Sequence, residues 1–154
     1  MFRFLEPDPM IDGELELVLH RTCPGDPRRG LVPAYEFHMV HDETGEKMGR
    51  ISLRVGDTEF LKFYAGHIGY GVDPPFRGRR YAARSCRLLL PLAARHGFEE
   101  LWITVNPDNF PSRRTCEIIG GEMVGIVDVP PGCEMYERGD RRKCRYRLAV
   151  PREG

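Results

Sequence analysis

Residues 67–82 read HIGYGVDPPFRGRRYA, and this segment decides the fold. Its first six residues predict a strand, which Asp73-Pro74-Pro75 ends because proline cannot donate to a sheet ladder. From Gly78 onward the sequence predicts a helix, because apolar residues recur at three- and four-residue steps: Ala82, Cys86, Leu89 and Ala93. The turn from Arg77 to Ala82 therefore sets the free N–H groups of a helix N-terminus among three arginines, an arrangement suited to binding a diphosphate.

A second strand and helix follow this unit. Leu101 to Val105 is apolar on both faces, which is typical of a central strand. Asn109 is a good N-cap for a helix that begins near Phe110, and Gly120-Gly121 predicts its end. Pro91 predicts a kink in the first helix, because proline removes one intrahelical hydrogen bond.

The rest of the chain predicts further strands separated by turns. The expected strands are Glu14–Leu19, Tyr35–His41, Lys47–Val55, Glu122–Val129 and Arg145–Val150. Thr22 to Pro33 reads as a loop, and Phe60 to Ala65 as a strand or a loop. This order predicts an α+β (mixed α/β) fold with one mixed sheet, in a single domain over residues 1–154.

Composition limits the classes of function. The 154 residues contain 23 Lys and Arg against 23 Asp and Glu, so the net charge is zero and a nucleic-acid partner is not expected. No apolar run approaches the ~20 residues of a membrane span, and the first residues lack the pattern of a secretion signal. The five cysteines include no CxxC pair, which favours reduced thiols in the cytoplasm over disulfides or a metal site.

Four pieces in order resemble the GNAT acetyltransferases, which transfer an acetyl group from acetyl-CoA to an amine. They are a strand with its proline exit (His67–Pro74), a pyrophosphate loop (Arg77–Ala82), a second strand (Leu101–Val105) and a helix start with a glycine-pair end (Asn109–Ser112 with Glu117–Gly121). The resemblance is nearest to the ribosomal-protein N-terminal and spermidine-type branch. It implies a mostly antiparallel sheet that is splayed between its fourth and fifth strands and flanked by helices.

The resemblance also implies a cofactor site within residues 66–124. Tyr70 to Val72, with Gly71 between them, would offer backbone groups to the pantetheine arm, and Asn109 and Ser112 would contact it from the other side of the gap. The pyrophosphate would bind the turn formed by Arg77, Gly78, Arg79, Arg80, Tyr81 and Ala82. Arg80 replaces the inner glycine of the family's loop, and we expect it to keep a helical φ.

Three residues are candidates for proton transfer. His67 is a candidate base, or a strand histidine that bonds a neighbouring carbonyl. Tyr70 either protonates the leaving thiol or packs as a core aromatic. Cys116 falls where the family often has a tyrosine acid, and it fits a small helix-face hydrophobe better than an acid.

The acceptor amine is not specified by the sequence. Arg21 to Pro33 is too short for the two helices that shape the acceptor pocket in many GNAT proteins. We therefore expect an open acceptor groove, or one that a second subunit completes as a homodimer. Acidic residues such as Glu36, Asp42 and Glu43 would attract a cationic amine.

The main hypothesis is an acetyl-CoA-dependent N-acetyltransferase that uses direct transfer to a primary amine and needs no metal. An alternative is a non-catalytic acyl-CoA-binding sensor or docking module, which the Arg80 and Cys116 departures favour. A third interpretation takes the basic run from Arg138 to Arg147 as an RNA-binding hairpin. Glu137 beside the run and Asp140 within it weaken this interpretation.

Overall fold

A computed structural model describes residues 2–152 of the chain. The N-terminal half forms a five-stranded antiparallel sheet in the order β1-β2-β3-β4-β5. Its strands are β1 (Ile11–Asp12), β2 (Leu15–Cys23), β3 (Ala34–His41), β4 (Lys47–Arg54) and β5 (Ile68–Val72). Alternation of buried and partly exposed residues along β3 agrees with the predicted half-buried strand.

The C-terminal half adds three helices and a second sheet. The helices are α1 (Tyr81–Arg95), α2 (Phe110–Ile118) and α3 (Glu134–Glu137). The strands β6 (Glu100–Val105), β7 (Glu122–Asp128) and β8 (Arg142–Ala149) form a three-stranded antiparallel sheet in the order β6-β8-β7. The predicted α+β class is confirmed.

The two sheets meet where β5 and β6 begin. The His67 N–H donates to the Trp102 carbonyl at 2.7 Å, and β5 and β6 form no ladder beyond this point within residues 2–152. The predicted splay between the fourth and fifth strands is therefore present, and the two strands concerned are β5 and β6. Each part of the sheet pairs antiparallel within itself.

Several local predictions were wrong. Leu61–Ala65 forms one π-helical turn rather than a strand or loop. Thr58 supports its start by accepting the Leu61 N–H at 3.1 Å, and the Gly66 N–H closes it on the Leu61 carbonyl at 2.6 Å. Helix α3 lies in a stretch with no predicted element. Helix α1 continues through Pro91 to Arg95, and the kink expected at this proline stays a prediction.

The core lies between the first sheet and α1. Tyr35, Phe37 and Ile51 from the sheet are almost fully buried, as are Cys86 and Leu89 from the predicted apolar face of α1. This packing fixes α1 against the sheet, so that its N-terminus lies shortly after the end of β5. Within residues 2–152, no helix has both the length and the apolar character needed to cross a membrane.

Candidate active site

The N-terminus of α1 presents unpaired backbone donors. The first helical hydrogen bond joins the Arg84 N–H to the Arg80 carbonyl at 2.9 Å, which leaves the N–H groups of Tyr81, Ala82 and Ala83 without an intrahelical acceptor. Arg80 precedes them and is exposed. This is the arrangement of donors and positive charge that binds a phosphate group.

Arg80 does not have the helical φ expected from the sequence. Its φ is 61° and its ψ is 26°, which is the left-handed region. Among residues 2–152 it is the one non-glycine residue with positive φ. The backbone therefore keeps the conformation that a glycine takes easily, and the arginine adopts it at a cost in conformational energy.

A polar cluster holds α1 against the first hairpin. Arg84 donates from Nε to Asp12 Oδ2 at 2.7 Å and from Nη2 to Glu14 Oε1 at 2.6 Å. The Tyr81 hydroxyl donates to Glu14 Oε2 at 3.0 Å. The hydrogen bonds from Arg84, from the Glu14 backbone and from Tyr81 lower the pKa of Glu14 to about 2. The cluster thus fixes the first turn of the helix whose N–H groups are free.

The gap between β5 and β6 opens into a cavity of about 870 Å³. Of the predicted site residues, Tyr70, Asn109 and Ser112 line it, whereas the turn from Arg77 to Ala82 lies outside its lining. The structure therefore gathers three predicted residues at the splay and places the arginine-marked turn beyond the end of β5.

Tyr70 and Ser112 bridge the two sides of this gap. The Tyr70 hydroxyl lies 2.7 Å from Ser112 Oγ and donates to the Ser112 carbonyl at 3.3 Å. Burial raises the pKa of Tyr70, so the phenol is protonated throughout the neutral range. Asn109 caps α2 by accepting the Ser112 N–H at 3.3 Å, as its position predicted.

The free edge of β5 faces the gap. The Asp73 N–H donates to the Met48 carbonyl at 2.8 Å, and the His67 carbonyl accepts the backbone N–H of Arg54 at 2.7 Å. Alternate residues of this segment therefore form the backbone hydrogen bonds to β4. Gly71 belongs to that set, and Tyr70 and Val72 direct theirs to the gap. The expected backbone contact from Gly71 is therefore not supported by this geometry, whereas Tyr70 and Val72 have the required orientation. The Val72 carbonyl also accepts a hydrogen bond from Arg77 Nε at 3.1 Å.

His67 is a buried structural residue with 2% of its surface exposed. Its Nδ1 accepts the Trp102 N–H at 2.9 Å, and its Nε2 lies 3.0 Å from the Gly56 carbonyl, which requires a proton on Nε2. Burial lowers its pKa. Both ring nitrogens are occupied and the side chain does not line the cavity, so the geometry favours the strand-histidine interpretation over a base.

Cys116 also has a structural environment. Its side chain is fully buried, and burial raises the pKa of the thiol to about 12. The thiolate is the reactive form of cysteine, so this residue is inert at neutral pH. Tyr70 is the member of the predicted catalytic trio whose hydroxyl reaches the cavity wall.

Sequence reasoning missed the far end of the cavity. Arg54, at the end of β4, lies over Gly69 and the π-helical turn, and Tyr64 from that turn lines the cavity beside it. No sequence pattern marks Arg54, because it ends an ordinary alternating strand. Between β2 and β3 there is one 3-10 turn, Pro27–Arg29, in place of two helices, as the short segment predicted.

The acidic residues expected to attract an amine lie elsewhere. Glu36 is paired with Arg21, and neither Asp42 nor Glu43, at the turn between β3 and β4, lines the cavity. Among residues 2–152, no group of three or more His, Cys, Asp or Glu side chains is placed to hold a metal ion.

The family model described as the acetyltransferase (GNAT) domain matches residues 3–122, more than three quarters of the chain. The chain belongs to the GNAT acetyltransferase family. No curated protein sequence matches this GNAT chain at the significance threshold applied.

Solved structures share the fold of this GNAT domain. RimL, a ribosomal L7/L12 α-N-protein acetyltransferase, is 18% identical with a TM-score of 0.58, over 78% of this chain and 72% of its own. The ribosomal-protein-S5-alanine acetyltransferase from Vibrio fischeri is 16% identical with a TM-score of 0.60, over 76% and 62%. The microcin C7 self-immunity acetyltransferase MccE, in complex with acetyl-CoA and AMP, is 17% identical with a TM-score of 0.56, over 76% and 61%.

These comparisons bear on two features of the GNAT domain. The names of RimL and the S5-alanine enzyme match the branch that the sequence motifs resembled. The chain spans between 61% and 72% of the lengths of the three structures, so it is the shorter protein in each comparison.

Proposed function

We propose that this GNAT protein transfers an acetyl group from acetyl-CoA directly to a primary amine. The observation that carries the proposal is the splay between β5 and β6, which opens a free strand edge and the residue Tyr70 onto one cavity of about 870 Å³. Family membership supplies the reaction class, and the splay supplies a place for the thioester arm.

Acetyl-CoA would occupy two parts of the structure. The pyrophosphate would bind the free N–H groups of Tyr81, Ala82 and Ala83, with Arg80 adding positive charge. The pantetheine arm would bind the gap edge of β5 like an added strand, using the backbone groups of Tyr70 and Val72. Asn109 and Ser112 line the opposite side of the gap.

Tyr70 is the group that we assign to proton transfer. The amine nitrogen attacks the thioester carbon, the C–S bond breaks, and the sulfur takes the hydroxyl proton of Tyr70, which is then restored from solvent. The amine loses its extra proton to water. A tyrosine hydroxyl is protonated at neutral pH, so its proton is in place, and the hydrogen bond with Ser112 Oγ orients the hydroxyl.

The first experiment measures thiol release from acetyl-CoA across a panel of amines, beside calorimetric titration with acetyl-CoA. Binding together with amine-dependent thiol release is the expected result. Tyr70→Phe should lower kcat by about a hundredfold while leaving the Kd for acetyl-CoA nearly unchanged. Cys116→Ala is the matched control, since it changes a neighbouring side chain that has no assigned role in transfer.

Two outcomes would reject parts of this assignment. Full activity of Tyr70→Phe would remove Tyr70 from proton transfer. Binding of acetyl-CoA without thiol release for any amine would favour the non-catalytic acyl-CoA-binding module. One observation favours that alternative. Both ring nitrogens of His67 are hydrogen-bonded and Cys116 is fully buried, so neither side chain is free for proton transfer.

A further inference from the structure

Most of the charged side chains that line the cavity are cations. Arg29, Arg54, Arg138 and Lys143 contribute to it, against one carboxylate, that of Glu134. A polyamine or a lysine-rich acceptor would meet like charges here. The electrostatics of this wall therefore oppose the expectation that acidic residues draw in a cationic amine.

Two of these cations share one carboxylate of the protein. Asp140 Oδ2 lies 3.0 Å from Arg138 Nε and 3.4 Å from Lys143 Nζ. The ion pairs found among residues 2–152 include neither Arg29 nor Arg54. Arg29 is exposed to solvent, whereas Arg54 is half-buried.

Arg54 is held in position by part of its guanidinium. Nη1 donates to the carbonyls of Gly66 at 3.0 Å and Ala65 at 3.4 Å. Nε and Nη2 have no acceptor within residues 2–152, and their edge is the one that binds a carboxylate or a phosphate with two parallel hydrogen bonds. A half-buried cation with a free bidentate edge on a cavity wall is available to an anionic ligand.

The location of this edge relates it to the acceptor. A Cβ placed on Gly69 would lie 3.2 Å from Arg54 Nη2, so the guanidinium rests on the residue that precedes Tyr70. Arg54 also lines a second cavity of about 420 Å³, which the Cys23–Ala34 segment and Phe60 help to form. The guanidinium therefore lies between the reacting end of the cleft and a space able to hold the body of an acceptor.

We propose that the acceptor is an amine that also carries a carboxylate or a phosphate, and that the Nε–Nη2 edge of Arg54 binds this anionic group. The inference rests on the proposed acetyl transfer and adds the substrate class to it. Arg29, which is exposed, contributes positive charge at the opening of the cavity. The cationic wall also favours the neutral form of the amine, which is the nucleophile.

The test on the unmodified protein uses acceptors matched in their amine. Glycyl-glutamate amide is compared with glycyl-glutamine amide, and phosphoethanolamine with ethanolamine, with spermidine as the polyamine. We expect kcat/KM, corrected for the fraction of neutral amine, to be about ten- to a hundredfold higher for the anionic member of at least one pair. The pair that shows the preference identifies the anion as a carboxylate or a phosphate.

Variants connect the preference to Arg54. Arg54→Met should abolish the difference within the pair, mainly by raising KM, and leave the Kd for acetyl-CoA unchanged. Arg54→Lys should retain part of it, since the charge stays and the bidentate edge is lost. Arg28→Gln is the control, because Arg28 is exposed beside Arg29 and does not line either cavity. Should Arg54→Met not fold, Arg54→Lys and the acceptor pairs still decide the question.

The outcomes separate this inference from the proposed function. Equal kcat/KM within both pairs, with turnover present, overturns the anion site and leaves acetyl transfer standing. Without turnover of any acceptor, calorimetric binding of the same pairs to the CoA-loaded protein gives the readout. Preferential binding of the anionic member then supports the site and contradicts the enzyme, whereas equal binding contradicts both.

Discussion

Replacing Arg80 by glycine should stabilise the protein and lower its affinity for CoA. Arg80 has a φ of 61° immediately before α1, where the GNAT sequence pattern has glycine. A left-handed conformation costs an L-residue about 1–2 kcal/mol. The guanidinium of the same residue supplies positive charge at the predicted phosphate site. Backbone and charge therefore act in opposite directions at one position, and two substitutions can separate them.

The magnitude follows from two opposing contributions. Arg80→Gly removes the strain of about 1–2 kcal/mol but gives the unfolded chain about 0.5–1 kcal/mol of extra conformational freedom. The net gain in the free energy of unfolding is about 0.5–1 kcal/mol. Arg80→Ala loses the same charge and keeps the strain, so it should not gain stability. For a chain of this length, the glycine variant should melt roughly 2–3 °C above the alanine variant.

Urea unfolding and thermal melting measure the stability difference, and calorimetry measures the affinity for CoA. Both variants should bind CoA about three- to tenfold more weakly than the unmodified protein at low salt. This difference in affinity should become smaller as the salt concentration increases. Gly78→Ala is a positive control for backbone strain, because Gly78 has a φ of 89° and an added Cβ would meet no other atom. Equal stability of the glycine and alanine variants at position 80 would refute the strain. Unchanged affinity for CoA would refute the phosphate contact.

Two further predictions concern stability. Arg84→Leu leaves two carboxylates without their cation and should lower the unfolding free energy by about 2 kcal/mol, or roughly 5 °C in Tm. Arg87→Leu, three residues on, loses a single hydrogen bond from an exposed side chain to the Ile118 carbonyl and should change the unfolding free energy by only about 0.5 kcal/mol. Burial lowers the pKa of His67 below its ordinary 6.5, so its contribution is complete above pH 6.5 and is lost as the pH falls toward the folded-state pKa. The pKa values of His38 and His96 are lowered too, so His67→Gln should reduce, but not remove, the loss of stability between pH 7.5 and 5.5 in urea titrations. If the unfolding free energy of His67→Gln depended on pH in the same way as that of the unmodified protein, the neutral buried state of His67 would be contradicted.

Local chemistry explains which elements were predictable. The strand that ends before Asp73-Pro74-Pro75, the apolar face of α1 and the Asn109 cap each depend on residues close in sequence, and each is present. The turn at Leu61–Ala65 was missed because its support comes from Thr58 on one side and from Arg145 on a distant strand, whose guanidinium stacks on Phe63 at 3.8 Å.

The sequence alone determined the order of the longer strands and helices, the family, and the positive helix start at Arg80, because periodicity, caps and glycine patterns act over a few residues. Tertiary structure decided which side chains face the cleft. It buried His67 between two backbone partners, enclosed Cys116, and placed Arg54 on the walls of two cavities. Such roles depend on contacts between segments that are distant in the chain, and hydrogen-bond partners and desolvation exist only once those segments have packed.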